Sequence, residues 1–167
     1  LFPYTTLFRS VDTARKYHSP AAIRQCIQLC RMYKIRYLQL HLTDGQAFTF
    51  PSKAYPKLTT DNHHGGPPYT IEELKGLEAY ATKRGVTLIP EFEVPGHAAA
   101  MNRTMPELFK IRGTKPYEHH ATINFANEKV IDAVATIVDE MCDVFRASPY
   151  FHIGGDEADF RFAHQHP

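Results

Sequence analysis

Residues 35–45 read IRYLQLHLTDG. Ile35 to Leu42 is rich in leucine, aromatic and β-branched residues, so it reads as a strand. It runs into Thr43-Asp44-Gly45, a turn signal. The strand therefore delivers a polar cluster, His41 to Asp44, at its C-terminal end. Upstream, Ser19 is a good N-cap and Pro20 suits a first helical position. Ile23, Cys26, Ile27 and Cys30 fall at the i, i+3, i+4, i+7 spacing of one helix face, predicting a helix that ends near Lys34. Downstream, Gly45 to Tyr69 is a long connection punctuated by Pro51, Pro56, Gly65, Gly66, Pro67 and Pro68. Loops of that length are usually functional. Thr70 and Glu73 then form a capping-box pattern ahead of Leu74, Leu77 and Tyr80, and Gly85 is placed to stop that helix.

The alternation continues in both directions. Val11 to Arg15 reads as a strand stub. Val86 to Ile89 is a short strand followed by PEFEVPGH, residues 90–97. Ala98 to Arg112 reads as a short helix plus irregular chain, and Thr122 to Phe125 as a strand-like turn. Asn127 caps a helix reaching about Arg146, with Val130, Val134, Ile137, Met141, Val144 and Phe145 inward. Tyr150 to Ile153 is the last strand. The order β-α-β-α-β-α-β, about four βα units, argues for an α/β fold with a parallel sheet and helical crossovers. The polar clusters follow strands, where both TIM barrels and open doubly wound sheets place their sites. Alternation alone does not separate these two architectures.

Composition bounds the function. The 167 residues carry 19 Lys+Arg against 18 Asp+Glu, a formal net charge of +1. That balance argues against nucleic acid as the main partner. No apolar run approaches the ~18 residues of a membrane span. Three cysteines cannot build a disulfide scaffold, and Cys26 and Cys30 read as core. His63-His64 and His119-His120 read as solvated loop residues. Asn102-Arg103-Thr104 matches the N-glycosylation triplet, which is common by chance. No signal-peptide pattern opens the chain. Residues 1–10, LFPYTTLFRS, read as the in-frame translation of a sequencing adapter. They are expected to be an assembly artefact, leaving residues 11–167 as the domain to be reasoned about, truncated at both ends.

Three strand ends carry the chemistry: His41 to Asp44, Glu91 to His97, and His152 to Glu157. In a parallel sheet all three converge on one rim. Each also has a plain reading. His41, between Leu40 and Leu42, suits a buried, hydrogen-bonded core histidine. Glu91 and Glu93 share one face of an extended segment, where one is expected to hold loop backbone. Gly154-Gly155 could be a tight turn, and Asp156-Glu157 a helix start. Yet adjacent carboxylates point different ways in extended chain. That does not suit two carboxylates facing each other across a scissile bond. It suits a division of labour, one carboxylate on a leaving group and its neighbour orienting something else.

His152-Ile153-Gly154-Gly155-Asp156-Glu157 resembles the signature of family-20 glycoside hydrolases, the β-N-acetylhexosaminidases. Asp12-Thr13-Ala14-Arg15 resembles the family's first-strand motif, and Leu40 to Asp44 its second strand end. FTFPSKAYPKL, residues 48–58, resembles the loop that follows; Tyr69-Thr70 with the next helix, PEFEVPGH and Ile123-Asn124 fit later segments. The ordered set spans residues 11–167. The resemblance implies the N-terminal half of a (β/α)8 TIM barrel that removes terminal, non-reducing N-acetylglucosamine or N-acetylgalactosamine in β linkage. It implies retaining, substrate-assisted catalysis, in which the substrate's 2-acetamido oxygen attacks the anomeric carbon. By resemblance Glu157 is the general acid, expected to have a raised pKa in a complete pocket. Asp156 orients the acetamido group, Asp44 and His97 support the acid, and His152 helps set its strand end. No metal or organic cofactor is implied. Export is expected of glycan-degrading members.

The chain departs from the family in four places. The family's sugar-binding Arg would fall at Leu7, and Arg9 is out of register. A second acid after Asp44 is replaced by Gly45. A loop Trp is replaced by Phe48. The pocket's aromatic walls come from later strands, and this chain has no Trp. The chain alone is therefore expected to be poorly stable and inactive. Two other readings compete: a non-catalytic carbohydrate-binding relative, and a metal-dependent hydrolase using His41, His97, His152 and Asp156.

Overall fold

The structure is a computed structural model and describes residues 8–111 and 121–158. His119 and His120 lie outside the described residues. Three strands, β1 (Phe8–Asp12), β2 (Tyr37–His41) and β3 (Thr87–Glu91), form a parallel sheet in the order β1-β2-β3. Between them run α1 (Pro20–Met32) and α2 (Ile71–Thr82). After β3 come two short helices, α3 (Ala99–Thr104) and α4 (Pro106–Phe109), then α5 (Glu128–Val144). The caps expected from the sequence are made. Ser19 Oγ accepts from Ala22 N, Thr70 and Glu73 form a complete capping box, and Asn127 accepts from Lys129 N. Gly85 takes φ +71°, the left-handed conformation that glycine adopts without Cβ strain.

The second and third strands fall within two residues of expectation, at Tyr37–His41 and Thr87–Glu91, and the first and last differ more. The first strand ends at Asp12 because its carboxylate turns the chain, accepting from Ala14 N at 3.0 Å and Arg15 N at 2.9 Å. It begins at Phe8, with Phe8, Arg9 and Ser10 paired to Tyr37, Leu38 and Gln39. The expected fourth strand is reduced to a parallel bridge between His152 and Glu91. His152 N donates to Pro90 O at 3.0 Å and Phe92 N donates to His152 O at 3.0 Å, so residues near 152 still occupy the fourth place.

The register fixes what faces where. Asp12, His41 and Glu91 are partners on one rung, and His152 extends it. Residues opposite each other in a parallel sheet share a face, so Gln39 joins His41 on the polar face. Leu38, Leu40 and Leu88 take the other face and form one core with Ile23, Ile27, Leu74, Leu77 and Ile137.

The long loop corrects one expectation. His63 is exposed and pairs with Asp61, but His64 is buried, at 4% exposure. Tyr17 N donates to His64 O at 2.8 Å, and the two rings meet edge-on with centroids 5.7 Å apart. A Cβ at Gly66 would collide with the Tyr17 ring, so glycine lets the loop fold back over that tyrosine. Asn102 is also buried, its Nδ2 donating to Thr122 O at 2.9 Å.

Candidate active site

The rung at the strand ends is the floor of the site. His41 is buried between two carboxylates, with Nδ1 2.7 Å from Glu91 Oε2 and Nε2 2.9 Å from Asp44 Oδ2. Glu91 also accepts from Gln39 Nε2. Burial disfavours a charged imidazole, but the hydrogen bonds to Asp44 and Glu91 outweigh it and push His41 up to about 10. Burial likewise acts to raise Asp44 and Glu91, yet His41 holds both below the usual carboxylate range. His41 is thus a buried histidine, as one reading had it, but its partners are charged.

The side wall comes from the strand ends themselves. Arg15 Nη1 pairs with Asp12 Oδ2 at 2.8 Å. Its Nη2 pairs with Asp44 Oδ2 at 2.7 Å and lies 3.5 Å from His97 Nδ1. His97 Nδ1 is 3.6 Å from Asp44 Oδ1. Its Nε2 lies 3.3 Å from Glu157 Oε2 and 3.6 Å from Asp156 Oδ2. That nitrogen is buried and makes no aligned hydrogen bond. His97 has φ +49°, at the end of the Val94-Pro95-Gly96 turn. At Gly96 a Cβ would sit 2.8 Å from Asp156 O, so this turn packs against the carboxylate pair only with glycine.

Glu93 does what one of the paired glutamates was expected to do. It is 2% exposed, and its Oε1 accepts from Gly155 N at 2.8 Å. Its own N–H donates to Thr43 Oγ1 at 2.8 Å. Burial pushes Glu93 up to about 7; the Gly155 N–H opposes this, and the Asp156 and Glu91 carboxylates add to it. Gly154 and Gly155 both take positive φ, and a Cβ at Gly154 would overlap the Glu93 carboxylate. The turn ends at Glu157, itself at φ +49°.

Asp44, Asp156 and Glu157 therefore meet around His97. His97 and Asp156 line a cleft of about 270 Å³ together with Arg15, Gln39, His41, Glu91 and Glu93. His152 sits on the floor, its Nδ1 3.0 Å from both Glu91 Oε1 and Gly154 N. One tautomer serves only one of these at a time. Sequence reasoning missed Arg15 as part of the site. An Asp-x-x-Arg spacing at a strand end, Asp12 to Arg15, was the available signal. The set His41, His97, His152 and Asp156 is not gathered as metal ligands. Among the described residues, the donor atoms within 4.8 Å of one another are those of His41, Glu91 and Glu93.

A parallel sheet with helical crossovers, and carboxylates and histidines gathered at its strand ends, places the chain in the α/β class with a candidate site on one rim. The chain belongs to glycoside hydrolase family 20: residues 2–167 match "Glycosyl hydrolase family 20, catalytic domain". It is 33% identical over 166 residues to a beta-hexosaminidase of Akkermansia muciniphila, covering 89% of this chain and 33% of that protein. The beta subunit of Entamoeba histolytica beta-hexosaminidase is 33% identical over 155 residues, covering 88% and 27%. The GH20 exo β-N-acetylglucosaminidase of Vibrio harveyi, solved with N-acetylglucosamine, superposes with a TM-score of 0.80 at 29% identity, covering 91% of this chain and 27% of that one. A mutant Streptomyces plicatus beta-hexosaminidase in complex with its product gives 0.81 at 26% identity, covering 98% and 34%. The expected partial (β/α)8 barrel is confirmed. The chain spans about a third or less of each of these proteins.

Proposed function

We propose that this chain carries the acid–base pair of a β-N-acetylhexosaminidase acting on glycans with terminal β-linked N-acetylglucosamine or N-acetylgalactosamine. Glu157 protonates the leaving glycosidic oxygen as the 2-acetamido oxygen attacks the anomeric carbon. Asp156 orients the acetamido group and stabilises the positive charge of the resulting oxazolinium. Glu157 then takes a proton from the water that opens it. Asp44 and His97 support Glu157, and His152 sets the strand end beneath the turn.

The observation that carries this reading is the position of His97 Nε2. It faces both carboxylates, at 3.3 and 3.6 Å, so one imidazole backs two adjacent acids that serve different atoms of one substrate. The test is turnover of an aryl N-acetylglucosaminide by the protein expressed from the complete source reading frame. Glu157→Gln is expected to lower kcat by about 10²–10⁴-fold, the usual contribution of a general acid–base residue. Unchanged turnover in that variant sinks the reading. We propose separately, from the string LFPYTTLFRS alone, that residues 1–10 are adapter-derived; resequencing the source locus tests it, and finding these codons in the genome overturns it.

A further inference from the structure

The cluster His41, Glu91 and Glu93 has the composition of a metal site, but the placement of the ring argues otherwise. The two His41 nitrogens are spent on two different carboxylates, Glu91 Oε2 at 2.7 Å and Asp44 Oδ2 at 2.9 Å. A neutral imidazole donates from one nitrogen and presents a lone pair at the other. That lone pair would face a carboxylate oxygen at contact distance. Both carboxylates are already acceptors: Glu91 takes the Gln39 amide, and Asp44 takes Gly45 N and Arg15 Nη2. A ring donating from both nitrogens satisfies every group, and such a ring has no lone pair for a metal.

We propose that His41 is a permanent imidazolium and a positioning residue, fixing Asp44 and, through Asp44 and His97, the aim of Glu157. The last link rests on the hydrolase reading above. The charged groups around the ring come from every strand end. They are Asp12 and Arg15 from the first, Asp44 from the second, Glu91 and Glu93 from the third, and His152 on Glu91 from the fourth place. Burial opposes the charge and the paired carboxylates restore it, in agreement with the direction given above.

The experiment is nitrogen-15 NMR of the histidine rings in the full 167-residue chain. Both His41 nitrogens are expected to stay protonated from pH 6 to 9. A His41 ring that shows a lone pair on either nitrogen at pH 8 overturns the proposal. Added Zn²⁺ is expected to leave the His41 resonances in place, and their replacement by a metal-bound signal overturns it as well. The positioning role is read from His41→Gln. The Asp44 carboxyl carbon should then titrate at higher pH than in the wild type, while far-UV circular dichroism is unchanged. An unmoved Asp44 titration overturns that role. Where His41→Gln unfolds, Asp44→Asn replaces it, and the His41 ring should then lose its second proton at lower pH than in the wild type; an unmoved ring overturns the role. None of these readouts needs turnover, so they fail or hold independently of the hydrolase reading.

Discussion

Glu93 reaches across 62 residues to hold Gly155, its Oε1 accepting that backbone N–H at 2.8 Å. This single bond ties the turn bearing Asp156 and Glu157 to the third strand end. Both oxygens of Glu93 lie against that turn, since a Cβ on Gly154 would overlap the carboxylate. The turn that bears Asp156 and Glu157 is therefore held in place by a buried carboxylate from the third strand end.

Glu93 gives the first prediction, a pH dependence. Its folded pKa, about 7, lies above the ordinary glutamate value. The folded state therefore favours the proton, and that contribution is full below the ordinary value. It is lost as pH rises through about 7. Glu93→Gln keeps an acceptor for Gly155 and is neutral throughout. Thermal melts between pH 4.5 and 8 should show the wild type losing stability across this window relative to the variant. Parallel curves would refute the assignment.

Gly154→Ala should be among the most damaging single changes at the turn. The left-handed backbone at φ +66° alone costs a residue with a Cβ about 1–2 kcal/mol. The added methyl must also displace the buried Glu93 carboxylate. A lowered melting temperature together with loss of the Gly155 N–H protection in hydrogen exchange is expected. A variant that melts with the wild type would show that the turn tolerates a different path.

Much of this arrangement was legible in the sequence, and the reason is local. Pro20, Ser19 and the stripe from Ile23 to Cys30 fix α1 without reference to anything distant. The three clusters that hold Asp44, His97, Asp156 and Glu157 were legible because each follows a strand, and parallel strands deliver their ends to one rim; the choice of these residues within the clusters came from the family resemblance. The charge on His41 was not legible, because it depends on Glu91, 50 residues away, and on the register that sets them on one rung. His64 misled for the same reason. Its burial comes from the loop closing over Tyr17, a contact that composition does not encode. The fourth strand is reduced to one bridge, at His152.

Arg103 should act on the long loop and little else. Its Nη1 donates to Gly45 O at 2.7 Å and its Nε pairs with Asp61 Oδ2 at 2.8 Å. It thus ties the loop after Asp44 to the helix after His97. These contacts are more than a third exposed, so their effect on global stability should stay within about 1 kcal/mol. Arg103→Ala should instead raise the rate of limited proteolysis between residues 46 and 68. Equal cleavage rates in the two proteins would show that the loop is held by its backbone bonds alone.

The acid pair leads to the last prediction, that the 167-residue chain by itself does not turn over substrate. Asp156 and Glu157 are 71% and 79% exposed at the side chain. Both carboxylates therefore stand open to solvent. Sugar rings also need apolar walls that exclude water, and the sequence contains no Trp to supply them. Large apolar side chains stand in solvent as well, with Met32 at 72% and Ile153 at 61%. Purified chain should therefore show no release of aryl alcohol from an N-acetylglucosaminide above its Glu157→Gln control. Turnover that this substitution abolishes would prove the half-barrel a competent catalyst, and would mean that the exposed turn closes on substrate without further walls.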